Sequence, residues 1–111
     1  MSKLKVSNVP PITLCEGFES RLIHGAQMTW SFVSSKAGYE LPSHAHPHEQ
    51  VTHVVKGEFE LTLNGVKHEL HAGDILVIPS NVTHSGKSIT DCEIIDVFHP
   101  VRDDYQQKQK M

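Results

Sequence analysis

Short runs that alternate apolar and polar side chains, separated by glycine, proline and asparagine, fill this chain almost from end to end. Gln27 to Val33 sets Met28, Trp30 and Phe32 on one face against Thr29 and Ser31 on the other, the period-two signature of a half-buried strand. Gln50 to Lys56 is β-branched and stops at Gly57. Phe59, Leu61 and Leu63 alternate with Glu58, Glu60 and Thr62, and Asn64-Gly65 is a strong hairpin signal leading into Val66 to His71. Ala72-Gly73-Asp74 reads as a turn, Ile75 to Ile78 as a short buried strand, Pro79-Ser80-Asn81 as the next turn, and Cys92 to Phe98 as a further strand. Sustained helical periodicity is missing, and Gln106 to Met111 reads as a polar tail that frays. Many short strands with Gly and Pro turns predict an all-β protein, a barrel or jelly roll.

Composition narrows the setting. At 111 residues the chain is long enough for one compact domain over 1–111, burying about two-thirds of its unfolded surface without staples. A formal net charge of -3, with no basic run, argues against a nucleic acid or an anionic membrane surface as partner. Met1 to Pro10 has lysines but no apolar core of a leader, and no stretch approaches the roughly 18 apolar residues that span a bilayer. Cys15 and Cys92 are read as reduced thiols, and the protein as cytoplasmic. Open sheet edges need cover, which suggests a homodimer in which the N-terminal segment pairs with a neighbour.

Histidine changes the picture further, because the chain has nine. His24, His53, His68 and His71 lie in strand-like segments without a partner at ligand spacing. His44, His46 and Gln50 are different: in an extended segment their even positions share a face, so three donors converge where a later strand can add His84. Three neutral imidazoles and one oxygen suit a divalent transition metal and leave room for substrate. Glu49 is the rival oxygen donor, but a shift of one residue reverses the face, so an inward Gln50 sends Glu49 outward. His48 shares the even parity, and Pro47 makes strict alternation through this stretch unsafe.

These residues carry a resemblance to the cupin family. Its first motif, G-x5-H-x-H-x3-4-E-x6-G, is met by Gly38, His44, His46, Gln50 and Gly57; its second, G-x5-P-x-G-x2-H-x3-N, by Gly73, Pro79 and His84. Asn81 replaces a glycine and tolerates the left-handed conformation that glycine usually supplies, and Ser88 replaces the final asparagine. Gln50 replaces the usual glutamate, which removes a negative charge and favours an anionic substrate. The resemblance implies the small double-sheet β-barrel, or jelly roll, with one divalent metal (Ni, Zn, Fe, Mn or Co) held by His44, His46, Gln50 and His84.

The last strand narrows the resemblance. Asp96 and Phe98 share a face of an otherwise apolar segment, and Arg102 follows Pro100. By themselves Asp96 and Arg102 are equally an ion pair closing the barrel end or functional groups. Joined to the His-His-Gln-His set, Asp96, Phe98 and Arg102 resemble the small single-domain cupins of the pectin-degradation KdgF group. That resemblance implies a metal-dependent enzyme converting 4,5-unsaturated monouronates, from pectin or alginate, to linear 4-deoxy-5-keto-uronates. Asp96 would be the general acid or base, Arg102 the carboxylate clamp and Phe98 an apolar wall. Two alternatives belong to other classes: a cupin dioxygenase of the quercetinase or thiol-dioxygenase sort, and a non-catalytic sugar-sensing cupin.

Overall fold

The computed structural model describes residues 3–110; Met1, Ser2 and Met111, the ends of the two terminal segments discussed above, lie outside the described residues. After a 3₁₀ turn at Val6–Asn8 come β1 (Ile12–Cys15), β2 (Phe18–His24), β3 (Thr29–Ser35), β4 (Glu40–His44) and β5 (Glu49–Lys56). There follow β6 (Glu58–Leu63), β7 (Val66–His71), β8 (Ile75–Ile78), β9 (His84–Ser88), β10 (Cys92–His99) and a helix, α1 (Asp103–Gln109). A six-stranded sheet runs β1-β2-β3-β10-β5-β8 and a four-stranded sheet β4-β9-β6-β7, with every pairing antiparallel. Their inner faces enclose Phe18, Val33, Val54, Phe59, Ile78 and Ile94. The two sheets form a jelly roll, as expected, with no hydrogen-bonded ladder between them.

The turn chemistry behaves as the residue types predict. Asn64 and Gly65 both have positive φ, +48° and +80°, which matches the twist of the β6-β7 hairpin. Asn81 takes φ +65°, so the asparagine does adopt the conformation of the glycine it replaces.

Two points are completed or corrected by the structure: the alternation of β3 left its inward face open, and the chain end was expected to fray. The first concerns β3. Thr29 and Ser31 are its buried residues, while Met28 and Trp30 are exposed and Phe32 only half-buried. Register explains the arrangement: Thr29, Ser31 and Val33 stand opposite Phe98, Asp96 and Ile94 of β10, and residues directly opposite in a ladder share a face. Because β10 turns Ile94, Asp96 and Phe98 inward, β3 must turn its hydroxyls inward with them. Those hydroxyls find partners, Ser20 with Ser31 and Ser35 with Ser88, each at 2.6 Å.

The second correction concerns the chain end. Instead of a fraying tail from Gln106, residues Asp103–Gln109 form α1. Asp103 and Asp104 in its first turn and Lys108 in its last suit the helix dipole. The helix is tied down by Gln109, whose Nε2 donates to Leu22 O at 3.0 Å and whose Oε1 is 2.8 Å from His24 Nε2, and by Lys108 Nζ donating to Leu14 O. The N-terminal strand β1 pairs with β2 of its own chain. Cys15 and Cys92 are free thiols. Among the described residues no helix is long and apolar enough to cross a membrane.

Gly86, buried in β9, offers a test of this packing. A Cβ there would lie 2.3 Å from Cζ of Phe59, and overfilling a packed core costs about 1–3 kcal/mol. Gly86→Ala is therefore expected to lower the unfolding free energy by that amount in denaturant titration; an unchanged midpoint would show that Phe59 can yield freely.

Candidate metal centre and its cavity

Both sheets contribute to one cluster of imidazoles. His44 ends β4 and His84 begins β9, and the two are register partners with ring centroids 4.2 Å apart. The chain then leaves the four-stranded sheet: residues 45–48 are not strand, and it bends at Pro47-His48 before β5 starts in the other sheet. His46 lies on this crossing, and Gln50 is the second residue of β5. The convergence predicted from one extended segment is thus produced by a corner. Parity still holds within β5, where Gln50 is buried and Glu49 exposed.

Hydrogen bonds orient all three rings alike. His44 Nδ1–H donates to Pro42 O at 2.7 Å, His46 Nδ1–H to His48 O at 3.0 Å and His84 Nδ1–H to Val82 O at 2.9 Å. Each carbonyl is an acceptor, so each ring carries its hydrogen on Nδ1 and presents a bare Nε2 lone pair. One ligand atom from each of the three residues lies within 4.8 Å of the others. His84 Nε2 is buried without any partner. Burial holds the ring pKa values of His46 and His84 down, to about 4 for His46, where the charges of Arg102 and His84 add to it. Neutral, inward-facing imidazoles of fixed tautomer are what a divalent metal requires, so the three histidines are positioned to bind one.

Gln50 fits the same demand. Its Oε1 stands 3.0 Å from His46 Nε2. With the ring hydrogen on Nδ1 both atoms are acceptors, a repulsive contact unless a cation lies between them. The amide is held in this sense because Gln50 Nε2 donates to Thr52 Oγ1 at 2.9 Å, and Thr52 Oγ1 in turn donates to Asp96 Oδ1 at 2.8 Å. A one-way chain of donors therefore runs from the metal side of Gln50 to the carboxylate of Asp96. Desolvation raises the Asp96 pKa to about 6, against the hydrogen bonds from Thr52 and Gln50 and the charge of Arg102.

Asp96, Phe98 and Arg102 line the cavity next to His44, His84 and Gln50. Arg102 is buried, its guanidinium carbon 4.7 Å from the ring centroid of Phe98 and 3.8 Å from that of Tyr105. Its ion-pair partner is Asp104, through Nε at 2.9 Å and Nη2 at 2.6 Å, rather than Asp96. That fork holds the Asp104 carboxyl below the usual range. The backbone N–H of Arg102 donates to Thr29 Oγ1 at 2.8 Å, and Thr29 Oγ1 also lies 2.8 Å from His24 Nδ1.

Three contributors escaped the sequence reading. Thr52 shares the inward parity of Gln50 two residues on, which was a usable signal. Asp104 and Tyr105 belong to α1, and only the acidic first turn hinted at a helix there. His48 packs edge-on against Phe98, centroids 6.4 Å apart, and burial lowers its pKa. His71 pairs with Glu58 at 3.2 Å on the surface, and His24 serves the α1 tie.

Residues 31–98, which include both histidine motifs, match the model of the cupin domain family. The chain belongs to the cupin family. It is 34% identical over 64 residues to the pectin degradation protein KdgF of Dickeya dadantii (strain 3937), covering 56% of this chain and 58% of that protein. It is 37% identical over 65 residues to protein SchB of Streptomyces halstedii, 58% of this chain and 47% of the relative. The matched stretch thus spans about half the length of these curated relatives. The structure of KdgF from Halomonas sp. superimposes with a TM-score of 0.88 at 29% identity, covering 95% of this chain and 98% of that one. Size and fold are those of a small cupin of KdgF type.

The donor geometry predicts which histidines matter for metal. His44→Ala and His46→Ala should each lose most of the bound divalent metal, measured by elemental analysis of purified protein, while His68→Ala and His71→Ala keep it. Equal losses from all four would indicate adventitious binding by a histidine-rich surface.

Proposed function

We propose that this cupin opens and ketonises 4,5-unsaturated monouronates, with one divalent metal held by His44, His46, Gln50 and His84. The observation that supports the reading is the Gln50-Thr52-Asp96 chain, which ends on a carboxylate whose pKa desolvation raises to about 6, in a cavity lined also by His44, His84 and the buried Arg102. The likeness to KdgF proteins, one of them named for pectin degradation, supports the substrate class.

In the reaction Asp96 takes the proton of the anomeric hydroxyl, and the C1 carbonyl forms as the C1 to O5 bond breaks. The electron pair of that bond goes to O5, leaving an enolate across O5, C5 and C4. Asp96 then returns the proton to C4, which gives the linear 5-keto acid with no oxidant and no net water. A bound divalent metal supplies Lewis-acid stabilisation of the negative charge that develops on O5. Thr52, donating to Asp96, orients the carboxylate toward the sugar. Phe98 forms the apolar wall, and Arg102 attracts the C6 carboxylate.

Two features of the geometry bear on binding. Asp104 already occupies the Nε edge of the guanidinium, so substrate meets Arg102 through Nη1. The space beside Asp96 is about 50 Å³, room for roughly one or two waters. A monouronate is larger than this space, so side chains that line it must shift for the sugar to enter.

The direct test mixes purified, metal-loaded protein with an unsaturated monouronate and follows the ultraviolet absorbance of the conjugated C4 to C5 bond. Multiple turnovers at the same rate in air and under anaerobic conditions are expected; oxygen consumption would point to a dioxygenase, and binding without turnover to a sensor. Asp96→Asn should lose about a hundredfold to ten-thousandfold in rate with metal content and melting behaviour retained. Arg102→Ala should raise KM for the anionic substrate. Large losses of stability with normal specific activity in both variants would sink the catalytic roles.

Gln50 generates a separate expectation. Gln50→Glu keeps an oxygen ligand and tightens metal binding, but it lowers the positive charge facing the substrate and removes the N–H that donates to Thr52. Turnover should fall while metal occupancy does not. Unchanged activity would mean that neither the charge nor the donor chain serves the reaction.

A further inference from the structure

One histidine outside the metal cluster fastens both ends of α1. Gln109 Nε2 donates to Leu22 O, so its Oε1 is left as an acceptor for His24, which must carry its hydrogen on Nε2. His24 Nδ1 is then bare and accepts the hydroxyl hydrogen of Thr29, whose oxygen in turn accepts the backbone N–H of Arg102. A single chain of hydrogen bonds thus joins Arg102, the N-cap, through Thr29 and His24 to Gln109, the last residue of the helix. The two ends are not held alike. Arg102 is buried, and its N–H meets a threonine with no solvent exposure. Gln109 is only half-buried, and Lys108, which donates to Leu14 O, is exposed.

None of the seven residues of α1 is buried, and a helix shorter than about 12 residues is marginal by itself in water. Tyr105 nevertheless walls the metal cavity, where its ring meets Phe98 edge-on with centroids 5.8 Å apart. Val33, Phe59, Leu61 and Ile94 line the same cavity from strands that are paired on both sides. The wall supplied by α1 is therefore the one that yields most easily. We propose that α1 is a lid on the metal cavity: it pivots at Arg102, is latched to β2 by the Gln109–His24 contact, and swings Tyr105 aside to open the site. The backbone of Arg102 stays on Thr29, so its guanidinium remains at the cavity while the lid moves. The space of about 50 Å³ belongs to the closed lid, and opening adds the room that a sugar ring needs. Closing over the bound ring then keeps water from the reacting carbons. That the entrant is a uronate rests on the function proposed above; the motion of α1 does not, and it is measurable without any sugar.

Hydrogen exchange of the cobalt-loaded protein should show the amides of 106–109 exchanging well before those of β3 and β10, through a local opening. Gln109→Ala removes the latch at the far end of the helix, and Lys108→Ala removes the tie beside it. Each should speed both that exchange and the loss of cobalt to the chelator EDTA, roughly threefold to tenfold for one hydrogen bond. The chelator is used where the rate of loss still rises with its concentration. Exchange in β10 and the melting temperature should stay as in the unaltered protein. Exchange of α1 at the rate of β10 means that the helix opens only when the whole protein unfolds, and overturns the lid. So does faster exchange of β10 together with α1 in the variants, or faster exchange of α1 with cobalt leaving at the original rate. A protein that shows both rates as expected and does not turn over an unsaturated monouronate keeps its lid and loses the proposed reaction.

Discussion

Three imidazoles can share a cation only if all three are neutral and each turns a bare nitrogen toward it, and this constraint organises the open end of the jelly roll. Each ring meets it by committing its Nδ1 hydrogen to a main-chain carbonyl two residues away in the chain: Pro42 for His44, His48 for His46 and Val82 for His84. All three bonds sit at a strand end or a corner: His44 ends β4, His46 and His48 lie on the crossing to β5, and His84 begins β9. The donors therefore belong to the β4-β5 corner and to the approach to β9, not to the middle of a strand. Burial then keeps the charge off His46 and His84, whose pKa values it lowers.

The local part of this was legible in the chain. Spacing named His44, His46 and His84, parity separated Gln50 from Glu49, and Asn64-Gly65 placed a hairpin, because each depends on a few neighbouring residues. The route was not legible: the two even-numbered histidines and Gln50 converge by crossing from one sheet to the other at Pro47, and no periodicity encodes a change of sheet. α1 was missed for a related reason. Its seven residues have no apolar stripe, and they are held by bonds to His24, Leu22 and Leu14, far away in sequence.

Alternation in β3 was read correctly as a strand, and it left open which face is inside. A period of two says that the faces differ and nothing about which is inside; that is settled by the strands it pairs with. β10 needs Asp96 and Phe98 in the cavity, and its register with β3 buries Thr29 and Ser31 as a result. The buried Thr29 hydroxyl is then in reach of the Arg102 backbone N–H. An apolar outer face is the other consequence of the same requirement, because Trp30 and Phe32 then point away from the core.

Gln50, whose Oε1 stands 3.0 Å from His46 Nε2, is oriented from the same inner face. A carboxylate at position 50 would carry more charge to a metal, but it would offer Thr52 no hydrogen. The amide offers one, so the single hydroxyl hydrogen of Thr52 is directed to Asp96 and the amide oxygen toward the histidines. Any cation drawn to Gln50 Oε1 polarises its N–H, and the polarisation passes through Thr52 to the carboxylate. The amide beside the histidines and the Asp96 carboxylate are in this way coupled across two hydrogen bonds, which an aspartate alone in an apolar pocket would not be.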